Sequence, residues 1–150
     1  MSTIKNVRYL LFIFVLIFNL FVFEPVILGD NSLSKMLTLF LHKPFSLICH
    51  QQHDKLITIN NASTLVCARC AGIYLGGLLG NIYLFFRRSN YTRMKLFVLA
   101  SLPMLLDVVF YSIGLYNYSK IIAFSTGLIF GFFMMLVMFN GIENFLSENK

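Results

Sequence analysis

From Ile121 to Phe139 the chain reads IIAFSTGLIFGFFMMLVMF, nineteen residues without a charged side chain. At about 1.5 Å per residue, a helix of this length covers roughly 28 Å, close to the hydrocarbon thickness of a bilayer. Three further runs are similar. Val7–Phe23 is broken only by Arg8 and Asn19, Cys70–Phe86 is closed by Arg87 and Arg88, and Leu96–Tyr116 contains Pro103 and Asp107. The sequence therefore predicts an all-α fold, a polytopic membrane helical bundle with transmembrane helices over 7–23, 70–86, 96–116 and 121–139. Pro103 is compatible with this, because neighbouring helices can satisfy the carbonyl that a proline frees. A single integral membrane domain over 1–150 is expected, with residues 24–69 outside the bilayer.

Composition agrees. Of 150 residues, 58% are hydrophobic and 12% charged, whereas a soluble domain is about a quarter charged. So apolar a chain cannot cover a water-facing surface with polar groups, and lipid must be much of its solvent. The formal charge of +6 does not point to nucleic acid: the basic residues flank apolar runs, and no aromatic-basic patch accompanies them. Lys5 and Arg8 ahead of the first run resemble the start of a signal peptide. Glu24-Pro25 follows, however, without a small-x-small cleavage site, so the run reads as an uncleaved anchor. No phosphate-binding Gly loop, Gly-x-Ser-x-Gly elbow or His-Glu-x-x-His helix is present.

Orientation follows from basic residues in short flanks. Arg87, Arg88, Arg93 and Lys95 lie between the second and third runs, and Lys5 and Arg8 precede the first. Both groups are expected to be cytoplasmic, which places both termini inside and residues 24–69 outside an inner or plasma membrane. Within the outer segment, Leu33, Met36, Leu37, Phe40 and Leu41 recur at helical spacing, predicting an amphipathic helix that packs on the bundle or lies flat in the interface. Asp30, Asn31 or Ser32 would cap it. Pro44 would end it near His42 and open a second short helix.

Gly72, Gly76 and Gly80 are four residues apart in the second run, with Gly77 beside them, and Gly127 and Gly131 repeat the spacing in the fourth. Glycines one turn apart let another backbone approach closely. They serve either packing between these two helices or a homo-oligomer or membrane-partner interface.

All three Cys and all three His lie between His42 and Cys70. If helical, Cys49 and His53 share one face at i, i+4, and Cys67 and Cys70 share another at i, i+3. Together they would close a Cys3His site for zinc, or for copper(I), which thiolates also accept. His50 replaces His53 if the first piece is not helical, and His42 is a more distant candidate. Three other readings compete: a disulfide from Cys49 to Cys67 or Cys70, thiol-disulfide chemistry at Cys67 and Cys70 near a helix start, and inert packing. Asp107, about 16 Å inside the third run at helical rise, needs a partner at that depth. Arg69 at the outer end of the second run is the nearest cation, and Gln51 is a polar alternative. Asn19, Asn81 and Asn140 are expected to hydrogen-bond between helices.

Cys49-His50-Gln51, then Val66-Cys67-Ala68-Arg69-Cys70-Ala71-Gly72-Ile73-Tyr74 and Gly76, resemble the uncharacterised membrane-protein family known as domain of unknown function 2085. Pro103 with Asp107 is similar to that family's third helix, and Thr126-Gly127 with Gly131 to its fourth. The resemblance covers roughly residues 43–131. It implies the membrane architecture and the importance of the Cys and Arg positions, and it supplies no reaction. Two departures stand out. In the family pattern an Asn and an Arg precede the Thr-Gly, where this chain has Lys120 and Ala123. Some relatives carry Asp in place of Cys70, an exchange that suits a metal ligand better than a disulfide partner.

The resulting expectation is a four-helix membrane protein with a zinc or copper site at its outer face. Cys49, His50 or His53, Cys67 and Cys70 would be ligands, and Gln51, Arg69 and Asp107 would stand behind them or face a substrate. The rivals are a membrane thiol-disulfide oxidoreductase using Cys67 and Cys70, and a non-catalytic subunit packed by its glycine faces.

Overall fold

The computed structural model describes residues 2–29, 32–49, 51–59, 62–86 and 94–148. In chain order these form α1 (Ser2–Leu28), α2 (Ser32–Ile48), a 3-10 turn (His53–Lys55), β1 (Leu56–Ile59), β2 (Ala62–Cys67), α3 (Ala68–Phe86), α4 (Met94–Ser112) and α5 (Lys120–Glu148). Four helices are long and apolar enough to cross a membrane: Asn6–Leu28, Ala68–Phe86, Lys95–Ser112 and Lys120–Leu146. The protein is a mostly helical membrane protein built on these four, with α2 and a two-stranded antiparallel hairpin gathered at one end.

The glycines set the central contact. A Cβ added at Gly80 would lie 2.8 Å from the Phe132 carbonyl oxygen, and one at Gly76 would lie 2.9 Å from the Phe132 backbone nitrogen. Gly127 and Gly131 face Arg69 and Ile73 in the same way. The two glycine faces therefore meet each other inside the chain, which takes them up in packing α3 on α5. Helix α1 packs on α3, and α4 packs on α5. At the end of the bundle near Phe86, Arg8 donates to the Leu84 carbonyl at 3.1 Å, lies 3.8 Å from Glu143 and stands 4.7 Å from the Phe139 ring centre. Asn19 joins two helices, donating to the Tyr74 carbonyl at 3.1 Å. The Nδ2 atoms of Asn81 and Asn140 have no partner among the described residues.

Element boundaries differ from the sequence reading in several places, α5 among them, which runs on to Glu148. Helix α1 continues through Pro25 to Leu28, and Gly29, at φ 65°, ends it. Glu24 does not break the helix because it is buried and accepts a hydrogen bond from Thr38 Oγ1 at 3.2 Å. Helix α2 is likewise continuous through Pro44. Phe45, buried against Phe18 at 5.4 Å between ring centres, holds the last turn onto the core. Of its predicted apolar stripe, Met36, Leu37 and Phe40 are exposed, as suits a helix at a lipid interface, and Leu41 packs inward. Helix α4 stops at Ser112 rather than Tyr116. The Leu115 and Gly114 N–H groups return to the carbonyls of Phe110 and Tyr111, both at 3.0 Å, with Gly114 at φ 76°. The segment between Leu56 and Cys67 is a hairpin that the helical reading missed, although Leu-Ile-Thr-Ile before Asn60-Asn61 carries a hairpin signal. The basic positions Arg87, Arg88 and Arg93 lie outside the described residues.

The close backbone approach makes a direct prediction. Gly76→Ala should lower the melting temperature of the detergent-purified protein by several degrees, as overpacking of about 1–3 kcal/mol does. Gly77→Ala, with nothing within 4 Å of the added Cβ, should not. Equal melting of the two variants would contradict the packing.

Candidate metal centre

Three elements converge at the hairpin end. Cys49 closes the last turn of α2, its N–H bonded to the Phe45 carbonyl at 2.9 Å. The chain then turns sharply at Gln51, whose φ of 44° is unusual for a residue with a side chain. Gln51 Nε2 secures the turn by donating to the Leu65 carbonyl at 2.8 Å, and it lies 3.5 Å from the His42 carbonyl. The hairpin brings the chain back: Leu56 pairs with Cys67, and a register irregularity between Leu56 and Thr58 is bridged by Thr64 Oγ1. That hydroxyl accepts from the Ile57 N–H at 3.2 Å and donates to the Val66 carbonyl at 2.8 Å. Cys67 is the last residue of β2, and Cys70 lies in the first turn of α3.

The Sγ atoms of Cys49, Cys67 and Cys70 lie within 4.8 Å of one another, and all three are free thiols. Around them pack Val22, Phe45, Leu65, Val66 and Ala71. The Cys67 N–H points at Cys49 Sγ at 3.3 Å. The Cys67 and Cys70 thiols, with the backbone N–H groups of Cys67 and Gln51, donate toward Cys49 and hold its thiol well below the usual range, against the opposing effect of burial. Cys67 is pushed up by its bond to Cys49. Three sulfurs this close, with backbone donors directed at them, form a cluster that could hold a metal ion.

The helical geometry expected for the two Cys pieces is not what assembles them. Cys49 is followed by a turn rather than a helix, and Cys67 lies on a strand. His50 lies outside the described residues. For His53 only the backbone is placed, in the 3-10 turn. His42 is exposed. Among the described residues, the group able to bind metal is the three cysteines.

Asp107 is brought to Arg69. Its side chain is 2% exposed, Arg69 Nη2 pairs with its Oδ2, and the Tyr116 hydroxyl donates to its Oδ1. Gln51 does not take part; its amide is engaged by the Leu65 carbonyl. Tyr116 was missed from sequence, although a tyrosine shortly after Gly114 is placed to fold back on the end of α4. Lys55 was missed as well: its ammonium lies 4.6 Å from the Tyr111 ring centre and 5.5 Å from that of Tyr118. Burial, with Cys67 adding to it, pushes the Tyr118 hydroxyl up to about 12.

If the ion pair is a tie between helices, removing one member should hurt more than removing both. Asp107→Leu should strand Arg69 and cost about 3–5 kcal/mol, and the double variant Arg69→Met with Asp107→Leu should recover much of that loss. Thermal melting in detergent reads the comparison. Single losses that simply add would show the pair to be uncoupled.

Residues 49–137 match the family described as "Predicted membrane protein (DUF2085)". Among curated proteins, the chain is 36% identical over 110 residues to the uncharacterized protein MJ1492 of Methanocaldococcus jannaschii, an alignment covering 70% of each chain. It is also 32% identical over 86 residues to an uncharacterized protein of Methanothermobacter thermautotrophicus, covering 56% of this chain and 78% of that one. No solved structure matches it. The thiol cluster and the Arg69–Asp107 pair both fall inside the matched region, and the chain belongs to the DUF2085 family of predicted membrane proteins.

Proposed function

We propose that this membrane protein carries a thiolate metal centre at its outer face. Cys49, Cys67 and Cys70 are the protein ligands, and His50 or His53 is the fourth. The observation that carries the reading is the mutual approach of three sulfurs from three separate elements, within 4.8 Å. A disulfide would use two of them and leave the third thiol in an apolar setting. Backbone N–H groups directed at sulfur favour thiolates, the form that binds metal. Three thiolates and one imidazole are a tetrahedral zinc set; the same thiolates would also accept copper(I). With four protein ligands the metal is structural, clasping α2 and the hairpin onto the start of α3. With water in the fourth place it is a Lewis acid at the membrane surface. The Cys67-x-x-Cys70 spacing at the start of α3 supports the alternative of a thiol-disulfide oxidoreductase.

Elemental analysis of protein purified in detergent without added chelator tests this. About one zinc or copper per chain is expected. Each of Cys49→Ser, Cys67→Ser and Cys70→Ser should release it and lower the melting temperature. Metal-free protein in which two thiols resist alkylation until reduced would replace the metal reading with a disulfide.

The orientation belongs to the same proposal: cytoplasmic termini, with the thiol cluster outside, supported by the basic residues of the loop between α3 and α4. Topology reporters inserted after Asn60 and after Asn90 should report opposite compartments, outside and inside respectively. The reverse assignment would move the centre to the cytoplasmic face.

A further inference from the structure

The charge on three thiolates selects among the ions they can hold. Cys49, Cys67 and Cys70 are free thiols, and each gives up one proton when it binds an ion. Copper(I) would leave two of the three negative charges uncompensated, and zinc(II) would leave one. An imidazole ligand is neutral and alters neither count. The surroundings do not suit an anionic complex. Val22, Phe45, Leu65, Val66 and Ala71 form the buried packing around the sulfurs. Arg69, between Cys67 and Cys70, is drawn into an ion pair with Asp107, where the two charges cancel. The Lys55 ammonium rests on the faces of Tyr111 and Tyr118. The Cys67 N–H is directed at Cys49 Sγ and serves that one sulfur. A charge left on the complex would therefore sit in an apolar setting with little to offset it. A trivalent ion leaves none.

Access points the same way. Cys49 is 6% exposed, and Cys67 and Cys70 are half-buried. A small uncharged molecule reaches such sulfurs more readily than a hydrated cation, which must first shed its water. Trivalent arsenic and antimony exist in neutral water as small uncharged trihydroxides, and both bind thiols strongly. Their bonding is pyramidal: three sulfurs on one side complete the shell, and a lone pair occupies the other. Three sulfurs within 4.8 Å of one another supply that shell. We infer that the cluster is a binding site for a trivalent arsenic or antimony hydroxide. With arsenite, three arsenic–oxygen bonds break and three arsenic–sulfur bonds form. Each thiol proton leaves with a hydroxide, so three waters are released and no electron is transferred. The inference rests on the reading of the three cysteines as one ligand set. It needs neither a resident metal nor a fourth ligand.

The test adds arsenite to the full chain purified in detergent, and reads the intact mass and the arsenic X-ray absorption spectrum. One arsenic per chain is expected, with a mass gain of arsenic less three protons and with three sulfur neighbours. Arsenic held on two sulfurs and an oxygen would overturn the inference, and so would the lack of any adduct. Each of Cys49→Ser, Cys67→Ser and Cys70→Ser should weaken arsenite binding roughly tenfold or more. Unchanged affinity in any of them would also overturn it, and where a variant fails to fold the wild-type spectrum decides. Zinc and copper, measured in the same samples before and after arsenite, separate this inference from the resident-metal reading. Metal displaced by arsenic on three sulfurs supports both. Metal that stays, with no arsenic bound, upholds the metal reading and overturns the arsenite site. Metal-free protein that takes arsenic on three sulfurs removes the resident metal and upholds the arsenite site.

Discussion

The close backbone contact between α3 and α5 is the constraint on which the rest depends. Lipid tails offer no hydrophobic incentive for helices to associate, so association relies on how closely backbones can approach. Here the contact extends to the start of α3: the space a Cβ would need at Gly127 is taken by the Arg69 backbone, with its carbonyl carbon at 3.3 Å. Arg69 lies between Cys67 and Cys70. The packing that joins the two helices thus also fixes the direction of the first turn of α3, and with it the positions of Cys70 and of the guanidinium that reaches Asp107. Cys49 and Cys67 are held locally by the Gln51 and Thr64 bonds and the buried cluster around them, and the α3–α5 contact sets Cys70 against them.

Much of the architecture was legible because membrane spans are written in composition. Hydrocarbon demands long uncharged runs, and the runs at 7–23, 70–86 and 121–139 lie within helices that extend further at one or both ends. The extensions escaped notice for a physical reason. Glu24, Pro25 and Pro44 read locally as breaks, and only tertiary partners, the Thr38 hydroxyl and the Phe18 ring, make continuation favourable. The three cysteines could be picked out by crowding alone. How they converge could not, because the hairpin between Leu56 and Cys67 is short and half-apolar, and its pairing depends on side chains such as Thr64 and Gln51 bonding across the turn. Tyr116 and Lys55 lay beyond reach for a similar reason: each acts through a chain reversal.

Charge is handled differently at the two ends of the bundle. Near Phe86, Arg8 is spread over a carbonyl, a carboxylate and an aromatic face. At the hairpin end, Asp107 is gripped on both oxygens by groups from outside its own helix, Arg69 on one and Tyr116 on the other. The first arrangement tolerates small shifts of α1. The second is directional, and it joins α4, which packs mainly on α5, to the start of α3.

The turn at Gly114 has a consequence for how the protein is made. The α4 span has a mean hydropathy of 1.6, against 2.3 for α5, and it must enter the bilayer with an aspartate that costs about 2.5–3.5 kcal/mol at the middle of a lone helix. The tight reversal shortens the interval between α4 and the more apolar α5, which favours insertion of the two as a hairpin. The partners of Asp107 flank it in order of synthesis: Arg69 precedes it on a helix translated earlier, and Tyr116 follows within the same hairpin. A carboxylate whose cation lies earlier in the chain and whose hydroxyl partner lies just after it is fully paired once α3, α4 and α5 are assembled.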